Sequence, residues 1–283
     1  MDSASVLTSE MYQRIVKDMM LSESVKTNLR ILTEKYPQVN SMSLRSIITK
    51  QVQKFMKFNH GKLTTPEAIE HYHQRYNNDV QNGKEPGVLL AIAKDVGLPP
   101  ALLARCILEK HYAPKELSRN QITQYMKDTS LIENIDLSLE VYLCLLDDDV
   151  YGTFSEVYNK SIGLEYEVKL QRQLESIGVT YIPEENMRSR GYDKTPDFKL
   201  DIPITVDGKV INWIESKALF GDEDTHAGYL RDQLWSYWNR FGSGLVIYWM
   251  GHVNNLERLH QGCVILVRSE MPTSIIHMQP NCL

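Results

Sequence analysis

The chain has 283 residues, 42% of them hydrophobic and 24% charged, and a net charge of −5. That length suits two ordinary domains, and the composition is that of a globular chain able to bury a core, not of a low-complexity or disordered one. No stretch approaches the roughly 18 apolar residues of a membrane helix. The start Met1-Asp2-Ser3-Ala4-Ser5 lacks a signal-peptide plan, and Cys106, Cys144, Cys263 and Cys282 form no C-x-x-C pair, which argues against structural zinc and a disulfide framework. The expected setting is the cytoplasm and nucleus, away from any membrane.

Charge is unevenly spread. Residues 1–128 carry 18 Lys and Arg against 13 Asp and Glu, and the remainder carries 13 against 23. A basic region beside a carboxylate-rich one fits a DNA-holding part next to a metal site.

Residues 8–128 read as helical, without strand-like alternation. Met11, Ile15 and Met19, then Leu44, Ile47, Ile48, Val52 and Phe55, recur at the spacing of one helix face. Thr65-Pro66-Glu67 supplies a cap and a proline at a helix start, and Ile69, Tyr72 and Tyr76 follow along it. Ala93-Lys94-Asp95-Val96-Gly97 and then Leu98-Pro99-Pro100-Ala101-Leu102-Leu103 have the plan of a helix-turn-helix. A small residue lets the helices approach, glycine allows the turn, and proline opens the second helix. That helix presents Arg105 and Lys110 to phosphates or bases, or else the hairpin packs against protein. After a break near 128–134 a helix covers about 138–146, and Asp147-Asp148-Asp149 with Gly152 marks a surface turn. The expected division is a helical region over 1–140 and a second domain over 141–283.

The second domain alternates. A helix over 163–177 stops at Gly178, and strands follow at 179–183, 197–202 and 210–216. Asp207-Gly208 between Ile204-Thr205-Val206 and Val210-Ile211 marks a hairpin. A helix over 227–241, a strand over 245–250 and short strands at 263–267 and 274–278 complete the chain.

Two motifs carry chemistry. Thr195-Pro196-Asp197-Phe198 sets an Asp at a strand start, and Trp213-Ile214-Glu215-Ser216-Lys217-Ala218 sets a Glu and a Lys at a strand end. Side chains at i and i+2 share one face of a strand, so Glu215 and Lys217 face together. The hairpin brings Asp197 alongside. Two carboxylates suit a hard divalent cation, with the Ser216 carbonyl as a further oxygen. A lysine beside them serves an attacking water or steadies developing charge.

These residues resemble the PD-(D/E)xK nuclease superfamily, which includes restriction endonucleases and archaeal Holliday-junction resolvases. Pro196-Asp197 matches PD, and Glu215-Ser216-Lys217 matches (D/E)xK. The superfamily sets a metal-linked Glu on the preceding helix, where Gly163-Leu164-Glu165-Tyr166-Glu167 offers Glu167 or Glu165. Gln233-Leu234-Trp235-Ser236-Tyr237 resembles the Q-x-x-x-Y of some branches, with both polar residues on one helix face.

Longer stretches carry a closer likeness. Gly191-Tyr192-Asp193-Lys194-Thr195-Pro196-Asp197-Phe198, Phe220-Gly221-Asp222-Glu223 and Asp232-Gln233-Leu234-Trp235-Ser236-Tyr237-Trp238-Asn239-Arg240-Phe241-Gly242 resemble the codanin-interacting nuclease family, named for its Thr-Pro-Asp motif. The resemblance implies an α + α/β fold: an all-helical N-terminal region with helix-turn-helix character, then a restriction-endonuclease-like domain with a mixed central sheet. It implies a Mg²⁺-dependent nuclease (Mn²⁺ as an alternative) acting on DNA, with branched DNA suggested by the resolvase likeness. It also implies a codanin partner linked to erythroid development. Asp197, Glu215, Lys217 and Gln233 are then the catalytic candidates. Asp197, Glu215, Glu167, Glu165 and Ser216 are the metal candidates, and Arg105, Lys110, Lys194 and Tyr237 are those for nucleic acid. The alternative is a catalytically weak nuclease fold whose main work is binding codanin.

Overall fold

The computed structural model describes residues 5–21, 23–260 and 262–278. Met1 to Ala4 and Cys282, read above, lie outside the described residues. Two compact units form, and neither is one continuous stretch. The sheet unit gathers Met1–Lys17, Tyr36–Ser46 and Ser161–Leu283, and the helical unit gathers Asp18–Lys35 and Ile47–Lys160. The change of character read at 140/141 falls inside the helical unit.

In chain order the elements begin with β1 (Val6–Leu7), α1 (Ser9–Asp18), α2 (Val25–Lys35), α3 (Ser41–Leu63), α4 (Pro66–Gln81), α5 (Val88–Val96) and α6 (Pro100–His111). Then come α7 (Arg119–Lys127), α8 (Ile135–Asp147), α9 (Thr153–Ser176), β2 (Tyr181–Pro183), α10 (Glu184–Ser189), β3 (Phe198–Val206) and β4 (Lys209–Lys217). The last are α11 (Glu223–Tyr229), α12 (Trp235–Phe241), β5 (Gly244–Tyr248), β6 (His252–Val253), β7 (Ile265–Arg268) and β8 (Ile275–His277).

In the helical unit the local signals work as read. The Thr65 hydroxyl accepts from the Ala68 amide at 3.2 Å and so caps α4, with Pro66 in the first turn. Gly97 is left-handed (φ 69°), which turns the chain between α5 and α6. Leu89, Ile92, Leu103, Ile107, Leu137 and Val141 meet in the core. The acidic run after α8 is not wholly a surface turn, because Asp148 is buried. Its carboxylate accepts from the amides of Ala101 (3.0 Å), Val150 (2.8 Å) and Tyr151 (2.7 Å). Burial holds that carboxyl above its usual range, and the three amides act the other way. Buried Glu140 caps α5 likewise, accepting from Gly87, Val88 and Leu89 at 2.7, 3.1 and 2.8 Å. Both helices of the hairpin thus start on a carboxylate, where the helix dipole favours negative charge.

In the sheet unit the strand order is β2-β3-β4-β5-β7, with β8 also on β3. β4, β5 and β7 run parallel, whereas β2, β4 and β8 pair antiparallel with β3, so the sheet is mixed as expected. Asp207 and Gly208 close the β3–β4 hairpin, both at positive φ (48° and 72°), as a two-residue turn of the primed kind requires. The register shifts between Lys199 and Ile204, where Pro203 cannot donate to the ladder. Leu170 and Leu174 of α9 pack with Phe198, Leu200, Ile214, Leu245 and Ile247.

Three features depart from the sequence reading. The N-terminal stretch is helical from α1 to α9 as expected, but just before it Val6 and Leu7 pair in parallel with His252 and Val253. Two residues are too few for alternation to register. α9 begins at Thr153, ten residues early, and α10 had no counterpart. The helix expected over 227–241 begins at Glu223 and contains a π-helical turn, Leu230–Leu234, between α11 and α12.

Candidate metal and phosphodiester site

The β3–β4 pairing builds the site. Phe198 faces Ile214 across the hairpin, so Asp197 comes opposite Glu215 at the open end. Asp197 Oδ2 accepts from the Ser216 amide at 2.7 Å, and the Asp197 amide donates to Glu215 Oε2 at 3.3 Å. Lys217 Nζ donates to Glu215 Oε1 at 2.6 Å and to Gln233 Oε1 at 3.1 Å. It also lies 4.5 Å from the centre of the Tyr229 ring. Ser216 points the other way, its hydroxyl accepting from Trp249 Nε1 at 2.8 Å. The π turn sets Gln233 against Lys217. An inserted residue of this sort re-aims the side chains that follow it.

Burial dominates the electrostatics. It lifts Asp197 well above the usual carboxylate range, and the charge of Glu215 adds to this. Burial also lifts Glu215, against the pull of Lys217. Burial alone would lower Lys217, but the charge of Glu215 and the hydrogen bond to it prevail, so the ammonium is held above its ordinary value. The result is two carboxyls that resist ionising and a lysine that stays charged.

Glu167 and Glu165 separate here. Both are exposed on α9. Glu167 is raised by partial burial and then by Glu184, while Lys217 opposes this, and its own charge acts on Asp197. Glu167 therefore shares the field of the site. Among the described residues no group of three or more His, Cys, Asp or Glu is placed to hold a metal ion together. The close donors are the Asp197–Glu215 pair, with Glu167 farther off.

Glu184 was not anticipated. It accepts from Thr195 Oγ1 at 3.1 Å and pairs with Arg188 at 2.7 Å. The buried Thr of Thr-Pro-Asp thus ties the Asp197 turn to α10. The motif itself was the signal, and its partner lay in an element that sequence reasoning did not find.

A family described as "Protein of unknown function TPD sequence-motif" matches residues 133–270. The chain is 41% identical over 275 residues to "CDAN1-interacting nuclease 1" of Mus musculus, covering 96% of this chain and 97% of that protein. The protein of the same name from Homo sapiens is also 41% identical, over 96% and 97% of the two chains. That from Xenopus laevis is 37% identical over 98% and 92%. The chain belongs to the CDAN1-interacting nuclease family. No solved structure matches it. The likeness to this family takes in both units, whereas the Thr-Pro-Asp match begins only near α8.

Around the centre of this family member, Tyr237 is buried with its ring edge-on to Trp213 at 5.4 Å. Burial, then Glu215 and Asp197, raise its hydroxyl. It supports the site from beneath and presents no exposed face. Lys194 is exposed and donates to the Asp232 carbonyl at 2.7 Å, while Arg240 holds the Lys194 carbonyl (2.9 Å) and Asp193 (3.0 Å). Arg105 and Lys110 lie in the other unit. Arg105 reaches Thr123 at 3.4 Å and Glu109 at 4.0 Å, and Lys110 pairs with Glu70 at 2.5 Å.

A second polar cluster in the sheet unit was also missed. His226 Nε2 lies 2.8 Å from His260 Nε2, and His226 Nδ1 lies 2.8 Å from the Tyr248 hydroxyl. All three are buried. The spacing of His226 and His260 in sequence carries no metal-like pattern, so only the fold brings them together.

Proposed function

We propose that this chain is a divalent-metal-dependent nuclease hydrolysing phosphodiester bonds in DNA, working with a codanin partner (CDAN1). One observation carries the reading most: Lys217 Nζ lies 2.6 Å from Glu215 and 3.1 Å from Gln233 beside the buried Asp197. A surface ion pair needs none of this burial.

The residues fit a hard cation. Asp197 and Glu215 are adjacent carboxylates whose mutual repulsion a cation relieves, and Mg²⁺ accepts one or two carboxylates while keeping waters. These two, with the Ser216 carbonyl as a further oxygen, would hold Mg²⁺ or Mn²⁺, and Glu167, farther off, would reach it only through one of the waters Mg²⁺ keeps. The ion supplies Lewis-acid polarisation of the phosphoryl group. Lys217, held charged by Glu215, orients the attacking water and steadies charge on phosphoryl oxygens. Gln233 fixes the Lys217 ammonium and offers its amide N–H to phosphate. Lys194 contacts backbone phosphate at the exposed rim. Arg105 and Lys110 do so only after leaving Glu109 and Glu70. Branched DNA is the favoured substrate, by likeness to resolvases, and the setting is cytoplasm and nucleus.

The test is cleavage of labelled linear, flapped and four-way DNA in Mg²⁺ and Mn²⁺. Lys217→Ala should lower the rate by roughly 10²–10⁴-fold. Equal cleavage by both proteins would remove Lys217 from the reaction. An adaptor reading stays in view for one reason: both carboxylates already have protein partners, Glu215 on Lys217 and Asp197 on the Ser216 amide. If no DNA is cut and Asp197→Asn leaves CDAN1 binding intact, that reading prevails.

A further inference from the structure

Helix α8 is apolar on two opposite faces. Leu137, Val141, Cys144 and Leu145 are buried in the core of the helical unit. The outer face carries Ile135, Leu139, Tyr142 and Leu146, exposed to 82%, 42%, 43% and 52%. These four follow at intervals of four, three and four residues. At 3.6 residues per turn they fall within about 60° of arc. That is the d-a-d-a order of a heptad seam, the pattern that packs a helix against another helix. Leu131, in the turn just before α8, is exposed as well. A surface helix ordinarily needs one apolar stripe, toward its own core. A second contiguous stripe marks an interaction surface. From Ile135 to Leu146 it runs about 16 Å, three turns of helix.

Charge decides between occupants. α8 contains no Lys or Arg. Asp136 and Asp147 are exposed, each next in sequence to an end of the seam. Asp147 also sits in the last turn, where the helix dipole is already negative. Two copies joined antiparallel would set Asp136 against Asp147 of the other copy, and parallel copies would set each against itself. Like charge thus opposes self-association. A helix with apolar a and d positions and Lys or Arg on its flanks meets the opposite situation.

The geometry points to this seam as the docking site for such a basic-flanked amphipathic helix of the CDAN1 partner. The inference rests on the partner reading above, and relatives named for that interaction match 96% of this chain. The helix lies along the four side chains, as amphipathic helices lie in apolar grooves, with its basic residues near Asp136 and Asp147.

Calorimetric titration of CDAN1 into the full chain tests it, with sedimentation equilibrium of the chain alone. Ile135→Glu/Leu139→Glu should weaken binding at least tenfold, and Asp136→Lys/Asp147→Lys should weaken it several-fold and flatten its salt dependence. Should the first variant melt early, Ile135→Ser alone should still weaken binding measurably. Wild-type affinity in folded Ile135→Glu/Leu139→Glu would overturn the seam and leave the partner reading standing. No binding by the wild type would overturn both. A wild-type dimer that this variant splits would assign the seam to a second copy and overturn the proposal.

Discussion

Asp197 shows what burial beside a like charge does to a carboxyl. Its folded-state pKa is raised, so the folded chain binds protons more tightly than the unfolded chain. Stability then falls as pH rises from the ordinary carboxylate value through the raised one. Asp197→Asn should therefore melt at a higher temperature than wild type at pH 8 without metal, while losing Mg²⁺ affinity by calorimetry. A lower melting temperature would mean that Asp197 is stabilised by its amide contacts more than it is burdened by Glu215. The His pair behaves oppositely. Burial, then His260 and His252, push His226 down to about 3. The unfolded chain takes up that proton first, so this contribution is present above about pH 6.5 and is lost as pH falls toward 3. At pH 5 it amounts to roughly 2 kcal/mol less stability than at pH 8. Urea melts of wild type and His226→Gln at the two pH values would show it, the variant being the less acid-sensitive. The meeting of Glu215 with Lys217 was legible because strand geometry sets i and i+2 on one face, and that of Asp197 with Glu215 because the Asp207-Gly208 hairpin pairs their strands. His226 and His260 were not, since they stand 34 positions apart in the chain.

Among the elements, the hairpin was readable and the helix after it only partly so. Asp207-Gly208 announces itself because few residues accept two successive positive φ angles. The π turn at Leu230–Leu234 has no such residue requirement. It lies where Tyr229 and Gln233 both meet Lys217 of β4, a contact that local sequence does not announce. β5 carries a packing constraint that composition also hides. A Cβ on Gly244 would fall 2.0 Å from the Trp213 ring, whose Nε1 is fixed on the Gly242 carbonyl. Gly244→Ala should destabilise the sheet unit by about 3 kcal/mol, the upper end for an overpacked core. Thermal melts read by tryptophan fluorescence would detect it. An unchanged melt would mean that Trp213 can shift.

For the whole molecule, charge and connectivity matter most. The N-terminal excess of Lys and Arg suggested a DNA grip, yet Arg105 and Lys110 are engaged with Glu109 and Glu70, and α6 starts on Asp148. If Lys194 meets phosphate, Lys194→Ala should lower the salt slope of DNA binding by about one, and the Arg105→Ala/Lys110→Ala variant should lower it less than two lost contacts would. Fluorescence anisotropy at several salt concentrations measures both. The fold class was legible because periodicity switches from helical to alternating along the chain. The interleaving of the two units was not, because nothing in the composition of residues 5–17 tells them from helical-unit sequence. That interleaving has a consequence on the ribosome. Val6 and Leu7 are made some 246 residues before their partners His252 and Val253. At about 5–20 residues per second the helical unit has time to fold while the N-terminal strand waits. An early strand is thus paired late, and a ribosome halted before residue 252 releases a complete helical unit, a β1 with no partner strand and a main sheet that still lacks β7 and β8.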